Sequence, residues 1–202
     1  MGIPTPAVDL LLATKFFIPV ASQPLVARTR LTALLNEGLH RRLTLVCAPA
    51  GFGKSMLLAE WVHSLPTPPD GPFVAWVSLD EDDDNPARFG EYFITALSRA
   101  FPGVGSQALE YLHTLEGPAM HTVQTVLINS LIQSEAEYLV VLDDYHYVTD
   151  PAIHSSLAYL LDHLPPNVHI IVSSRVEPPL QLPRLRARGW LLEQQFSIWK
   201  MG

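Results

Sequence analysis

The stretch LTLVCAPAGFGKSMLLAEW, Leu43 to Trp61, decides the fold. The apolar run LTLVCAP breaks on Ala-Gly-Phe-Gly-Lys-Ser, and an amphipathic run with Met56, Leu57, Trp61 and Val62 follows. A phosphate-binding loop needs backbone N–H groups turned inward around an anion and glycines where the backbone comes close. It also needs a lysine that reaches the outer phosphates and a hydroxyl for Mg²⁺, all at the start of a helix. Gly51, Gly53, Lys54 and Ser55 meet those demands, and Pro49, Ala50, Phe52 and Met56 complete the loop. One position departs: Ala48 stands where the pattern opens on glycine, at the beginning of the turn and away from the phosphates. The alternative is an ordinary strand–turn–helix with a chance Gly-Lys-Ser. The preceding strand, the spacing and the following helix together favour the loop.

Working outward, four more short apolar runs read as strands: FVAWVSL (73–79), YLVVLDD (138–144), VHIIVSS (168–174) and the weaker WLLEQQF (190–196). They are near-continuously apolar, as strands covered on both faces of a parallel sheet should be. Helical spacing separates them. Leu31, Leu34 and Leu35 mark a short helix; Phe89, Tyr92, Phe93, Ala96, Leu97 and Ala100 mark a longer one. Val123, Leu127 and Leu131 mark a third, and Ile153, Leu157, Leu160, Leu161 and Leu164 a fourth. Strand–helix alternation predicts right-handed crossovers and an α/β, three-layer αβα sandwich. Proline-rich connectors at 65–72 and 176–183 punctuate it. The expected organisation is an N-terminal arm and short helix over 1–40, one domain over 41–197, and a tail over 198–202, with no internal repeat.

The 202 residues are 48% hydrophobic and carry a net charge of −7. They suit one α/β domain and argue against direct DNA binding, which needs a basic footprint. Cys47 is the single cysteine, so neither a disulfide framework nor a multi-cysteine metal site is expected, and a cytoplasmic setting fits. The N-terminal MGIPTPAVDLLLATKFFIPVAS has no basic opening, and Asp9 and Lys15 interrupt its apolar run. It reads as neither signal peptide nor membrane span, and Pro6 breaks a myristoylation pattern.

A phosphate-loop protein also needs a carboxylate at a neighbouring strand end to organise Mg²⁺. YLVVLDDYH supplies Asp143 for the magnesium shell, alongside Ser55, and Asp144 where a water-polarising acid is expected. Capping of the next helix is the competing role for either carboxylate. VHIIVSSR ends on Ser173, Ser174 and Arg175. If this strand lies between the two motif strands, Arg175 stands beside the γ-phosphate and reads triphosphate from diphosphate. A solvated surface arginine is the alternative.

Together CAPAGFGKS, WVSLDEDDDNPARFGEYFITAL, LVVLDDYHYVTDPAIHSSLAYLLDHLPPNVHIIVSSR and PRLRARGWLLE resemble one family over roughly residues 12 to 193. It is the nucleotide-binding, NB-ARC/AAA-like domain of large MalT-like bacterial transcription activators of the LuxR type, in the STAND class of signal-transduction ATPases. The resemblance implies a P-loop NTPase fold of the ASCE type, with a five-stranded, mainly parallel sheet in the order 5-1-4-3-2. It implies ATP and ADP with Mg²⁺ as ligands, slow hydrolysis, and a switch from a resting ADP form to a self-associating ATP form. It also implies a Val-x-Arg contact to adenine, which places Val26 and Arg28 there, with Arg30 competing and a surface role for Arg28 as the alternative. The sequence ends in FSIWKMG, where the family continues into a helical lid, winged helix, sensor repeats and a DNA-binding module. The expectation is an excised domain or a truncated product.

Other features carry weaker signals. The acidic run DEDDD (80–84) reads as a metal site or, better, as caps around Asn85 for the helix that starts near Pro86. His146 reads as packed or solvated more readily than as a nucleotide contact, and Cys47 as a small buried apolar residue. Arg184, Arg186 and Arg188 either meet a neighbouring subunit's phosphate or form a solvated basic edge. The leading function is an ATP/ADP switch with weak ATPase action, whose partners are nucleotide, a second copy or a full-length regulator. The alternatives are an interaction remnant that holds nucleotide poorly and, less favoured for want of a lid rich in arginine, a small-molecule kinase.

Overall fold

The structure is a computed structural model and describes residues 11–20, 29–101, 103–114 and 120–195. Five strands form one sheet: β1 (Leu43–Cys47), β2 (Phe73–Ser78), β3 (Tyr138–Asp143), β4 (Val168–Ser174) and β5 (Leu191–Gln195). Their order is β2-β3-β4-β1-β5 and every pairing is parallel. Read from the other edge this is the expected 5-1-4-3-2. All of β3 and β4 is buried, which is why they read as unbroken apolar runs.

Alternate strand residues feed two cores. Val46, Trp76, Leu139, Val141 and Ile171 face α1 (Thr29–Gly38) and α2 (Lys54–Ser64), which contribute Leu31, Leu35, Leu57, Leu58 and Trp61. Leu45, Val77, Val140, Leu142, Ile170 and Val172 face the opposite layer, made of α3 (Pro86–Ala100), α4 (Ser106–Thr114), α5 (Met120–Ile132), α6 (Pro151–His163) and α7 (Leu182–Ala187). The result is the three-layer αβα sandwich. Neither α4 nor α7 stands out in the periodicity. The chain enters α7 from the proline-rich connector, with Pro183 in its first turn where the missing N–H costs nothing.

The acidic run is neither a metal site nor simply a set of caps. Asn85 does cap α3, its side chain accepting from the Ala87 and Arg88 amides at 3.1 Å. Asp83, however, is completely buried, and its carboxylate meets the buried ammonium of Lys15 at 2.6 Å, with Asp80 on the same ammonium at 2.7 Å. Lys15 lies in a 3₁₀ turn, Ala13–Phe16, that packs along the edge strand β2. Leu12 N donates to the Tyr92 hydroxyl at 3.0 Å and Phe16 lies against the Tyr92 ring, so this turn covers an edge otherwise open to pairing. Among the described residues, no group of three or more potential ligands could hold a metal ion, and no helix is long and apolar enough to cross a membrane.

His169, on β4, is buried, with Nδ1 2.6 Å from the Arg41 carbonyl. Burial pushes its pKa down to about 4, against the opposing pull of that hydrogen bond. The imidazole is therefore neutral in the fold while the unfolded chain takes up a proton near pH 6.5, so stability falls as pH drops from 6.5 towards 4. Each unit of that interval is worth about 1.4 kcal/mol. In urea unfolding at stepped pH, His169→Asn keeps a donor for Arg41 and should lose this component of the acid sensitivity relative to the unaltered chain.

Candidate functional site

The register brings four strand ends together at the carboxyl edge of the sheet, with Cys47 of β1 opposite Ser174 of β4 and Asp143 of β3 opposite Ser78 of β2. In an open parallel sheet this edge is where ligands bind. From β1 the chain passes through Ala48, whose N–H donates to the Ser174 carbonyl at 3.2 Å, to exposed Pro49 and Ala50. Ala48 is 3% exposed, and among the described non-glycine residues only Asp144 and Gln181 have positive φ. Alanine is therefore at home where the motif has glycine, because the backbone there is not left-handed.

Glycine is required further on. Gly51 has φ 81° with nothing within 4 Å of where a Cβ would stand, and Gly53 has φ 72°. Gly53 is the N-cap of α2 and offers no side chain to the first turn. The first amides of that helix also lack intrahelical acceptors, so their dipoles face the open loop. Lys54 is buried and folds back along the loop, its ammonium donating to the Ala48 carbonyl at 3.0 Å. Phe52 is exposed at the rim, and Met56 is half-buried in the first turn.

Across this loop stands the second acidic pair. Asp143 is 3% exposed; it accepts from the Ser173 hydroxyl and, at 3.1 Å, from the Asp144 amide. Burial holds its carboxyl above the ordinary carboxylate range, with hydrogen bonds from Ser173 and Ser55 opposing and the neighbouring Asp144 adding to the rise. A buried carboxyl touched by the Ser55 hydroxyl, with a second carboxylate adjacent, has the donor chemistry of a Mg²⁺ seat. Magnesium keeps several waters and takes few protein ligands, so a pair such as Ser55 and Asp143 suffices.

Asp144 turns the chain with φ 57°, a conformation that costs energy for any residue with a side chain. Its amide is shared between Asp143 and the Ser173 hydroxyl, the latter at 3.2 Å. His146 follows, with Nδ1 3.6 Å from Asp144 and both buried ring nitrogens without a hydrogen bond. Burial pushes its pKa down, helped by the charges of Arg175 and Lys54. Arg175 itself is exposed, its guanidinium 5.9 Å from the Tyr147 ring.

The structure therefore gathers Lys54, Ser55, Asp143 and Asp144 at one edge and sets Arg175 and Phe52 at its rim. Val26 and Arg28 lie outside the described residues; Arg30 is exposed in the first turn of α1. Sequence reading gives Ser173 no role, although a hydroxyl ending an apolar strand is a signal; His146 is half-buried, as a packed histidine would be. Of the arginines in α7 and after it, Arg184 and Arg188 pair with Asp162 and Arg186 with Glu193. Cys47 is half-buried, its thiol pushed up to about 11 by burial, with the Glu177 charge adding to the rise.

No family model matches the chain. Curated relatives do: the HTH-type transcriptional regulator MalT of Serratia proteamaculans is 38% identical over 186 residues, which is 91% of this chain and 20% of that protein. MalT of Yersinia enterocolitica is 35% identical over 184 residues, with the same coverage of each. In sequence, the chain is similar to these regulators over nearly its whole described length. It spans about a fifth of the length of the regulators it matches. Solved structures are more distant. A structure of Drosophila ORC bound to GC-rich DNA and Cdc6 aligns with TM-score 0.49 and 10% identity over 88% of this chain and 62% of that one. C. elegans PCH-2 aligns with TM-score 0.43 and 16% identity over 82% and 41%. Likenesses of that degree carry no functional argument.

The elevated Asp143 pKa gives a test that needs no ligand. A carboxyl whose folded pKa lies above its unfolded value weakens the fold at every pH where it is ionised in the unfolded chain. Asp143→Asn keeps the shape and an acceptor for the Asp144 amide. Its urea midpoint at pH 7, without nucleotide or divalent cation, should lie above that of the unaltered chain; a lower midpoint would mean that the carboxylate stabilises the fold.

Proposed function

We propose that this MalT-like chain is an ATP/ADP-binding switch domain with slow ATP hydrolysis, working in the cytoplasm and passing its nucleotide state to a second copy or a full-length regulator. One observation carries this: a glycine loop opening on an uncapped helix faces, through Ser55, a buried carboxyl at the end of β3, with β4 between the two strands. Its chemistry is that of a phosphate and cation site.

Under this reading the amides of Gly51 to Met56 seat the phosphates, with Pro49, Ala50 and Phe52 shaping the loop around them. Lys54 leaves the Ala48 carbonyl to contact the β- and γ-phosphates. Ser55 and Asp143 hold Mg²⁺, directly or through water; the ion, when bound, neutralises charge building on the phosphate oxygens. Asp144 orients the attacking water, and Arg175 contacts the γ-phosphate from the rim, separating ATP from ADP. Val26 and Arg28 contact the adenine. Aspartate reaches one methylene less far than glutamate, in keeping with slow turnover.

The deciding experiment is calorimetric titration of ATP and ADP, each with and without Mg²⁺, on this chain and on Lys54→Ala. Binding at micromolar Kd or tighter, about −8 kcal/mol, should weaken at least 100-fold in the variant. Absence of binding by the unaltered chain would overturn the switch and leave a role in protein contacts alone.

A further inference from the structure

The acidic run after β2 reaches the second acidic pair from behind. Asp84 Oδ1 accepts from the Thr149 amide at 2.8 Å and from the Asp150 amide at 2.7 Å, and Oδ2 accepts from the Thr149 hydroxyl. One carboxylate, 65 residues away in sequence, thus takes every donor that Thr149 offers and the next amide as well. The segment it holds runs directly from Asp144. Tyr147 N donates to the Asp144 carbonyl at 3.2 Å and Val148 N to the Tyr145 carbonyl at 3.0 Å. Tyr145 is buried and its hydroxyl lies 2.9 Å from His154 Nδ1. From Ser173 at its start to Asp84 at its end, the turn is fixed at successive points, and it includes the left-handed Asp144.

Asp84 is itself held fast. Its neighbour Asp83 is buried against Lys15 and also accepts from the Asp80 amide at 2.9 Å. Asn85, on its other side, caps α3. The run cannot shift without breaking a buried ion pair, which is among the costlier losses a fold can suffer.

We propose that Asp84 is a positioning residue for the loop that carries Asp144: its carboxylate clamps Thr149 and Asp150, keeps the chain from relaxing out of the left-handed turn, and so fixes the place of the Asp144 carboxylate beside Asp143. This rests on the reading of Asp144 as the group that orients water. Geometry rather than charge does the clamping, because Oδ1 alone serves both amides. Asp84→Asn retains that acceptor and can donate to the Thr149 hydroxyl in return, whereas Asp84→Ala retains nothing.

The test compares these two variants with the unaltered chain by amide hydrogen exchange over 144–150 without nucleotide, and by single-turnover ATP cleavage with protein in excess. Asp84→Ala should speed exchange at Tyr147 to Asp150 at least tenfold and slow cleavage at least tenfold. ADP affinity should stay within twofold, and Asp84→Asn should match the unaltered chain throughout. A purely structural role would instead lower ADP affinity and cleavage together. Unchanged exchange in Asp84→Ala, or an Asp84→Asn as impaired as Asp84→Ala, overturns the proposal. If the unaltered chain bound or cleaved no ATP, the switch reading and the water-orienting role of Asp144 would fall together, while exchange would still decide whether Asp84 holds the loop.

Discussion

A carboxyl buried at the end of a central strand is the constraint on which this structure turns. Asp143 closes β3 at 3% exposure, where an apolar residue would cost less. It is tolerable because three groups address it: the hydroxyls of Ser173 and Ser55 and the amide of Asp144. Ser173 stands one strand over on β4, and Ser55 lies in the first turn of α2. Satisfying one buried acid therefore fixes the relative placement of β3, β4 and the phosphate loop, and the level strand ends follow from the parallel register. Burial still wins over the hydrogen bonds, leaving a carboxyl that would gain from a cation.

Much of this is legible in the sequence because the signals are local. Parallel strands covered on both faces must be apolar throughout, so β1 to β4 announce themselves, and Gly51-Phe52-Gly53-Lys54-Ser55 carries its chemistry within five consecutive positions. β5 is fainter because it lies at the sheet edge, where the half-burial of Glu193 and Gln194 permits polar residues. The short α7 is hidden because its opening residues look like a proline-rich connector. What sequence does not show is pairing at a distance. Lys15 finds Asp83 across 68 residues, and Ser173 finds Asp143 across 30. Nothing in DEDDD says which of its carboxylates goes inward, and the answer depends on where the N-terminal turn packs.

The two described non-glycine residues with positive φ show how position gives strain its meaning. Gln181 precedes α7, exposed, with no side-chain role in the cap. Asp144 sits beside the buried acid with its amide shared between Asp143 and Ser173. Relaxing Asp144 to an ordinary conformation would pull that amide from both acceptors at once, and the hydrogen bonds of the following turn oppose the same movement. The strain is held by contacts drawn from β4, α6 and the acidic run, the last of them distant in sequence.

A division follows between base and rim. Lys54, Asp143 and Ser173 are buried and tied to backbone or to one another, whereas Arg175 and Phe52 are exposed. Arg175 nevertheless follows Ser174 directly, and Ser174 pairs with Cys47 at the mouth of the phosphate loop. A charge arriving beside Arg175 would be met by the exposed rim before it could disturb the buried base. Under the proposed switch reading, that arrangement would keep the phosphates shared by ATP and ADP on a fixed seat and leave the difference between them to the exposed rim.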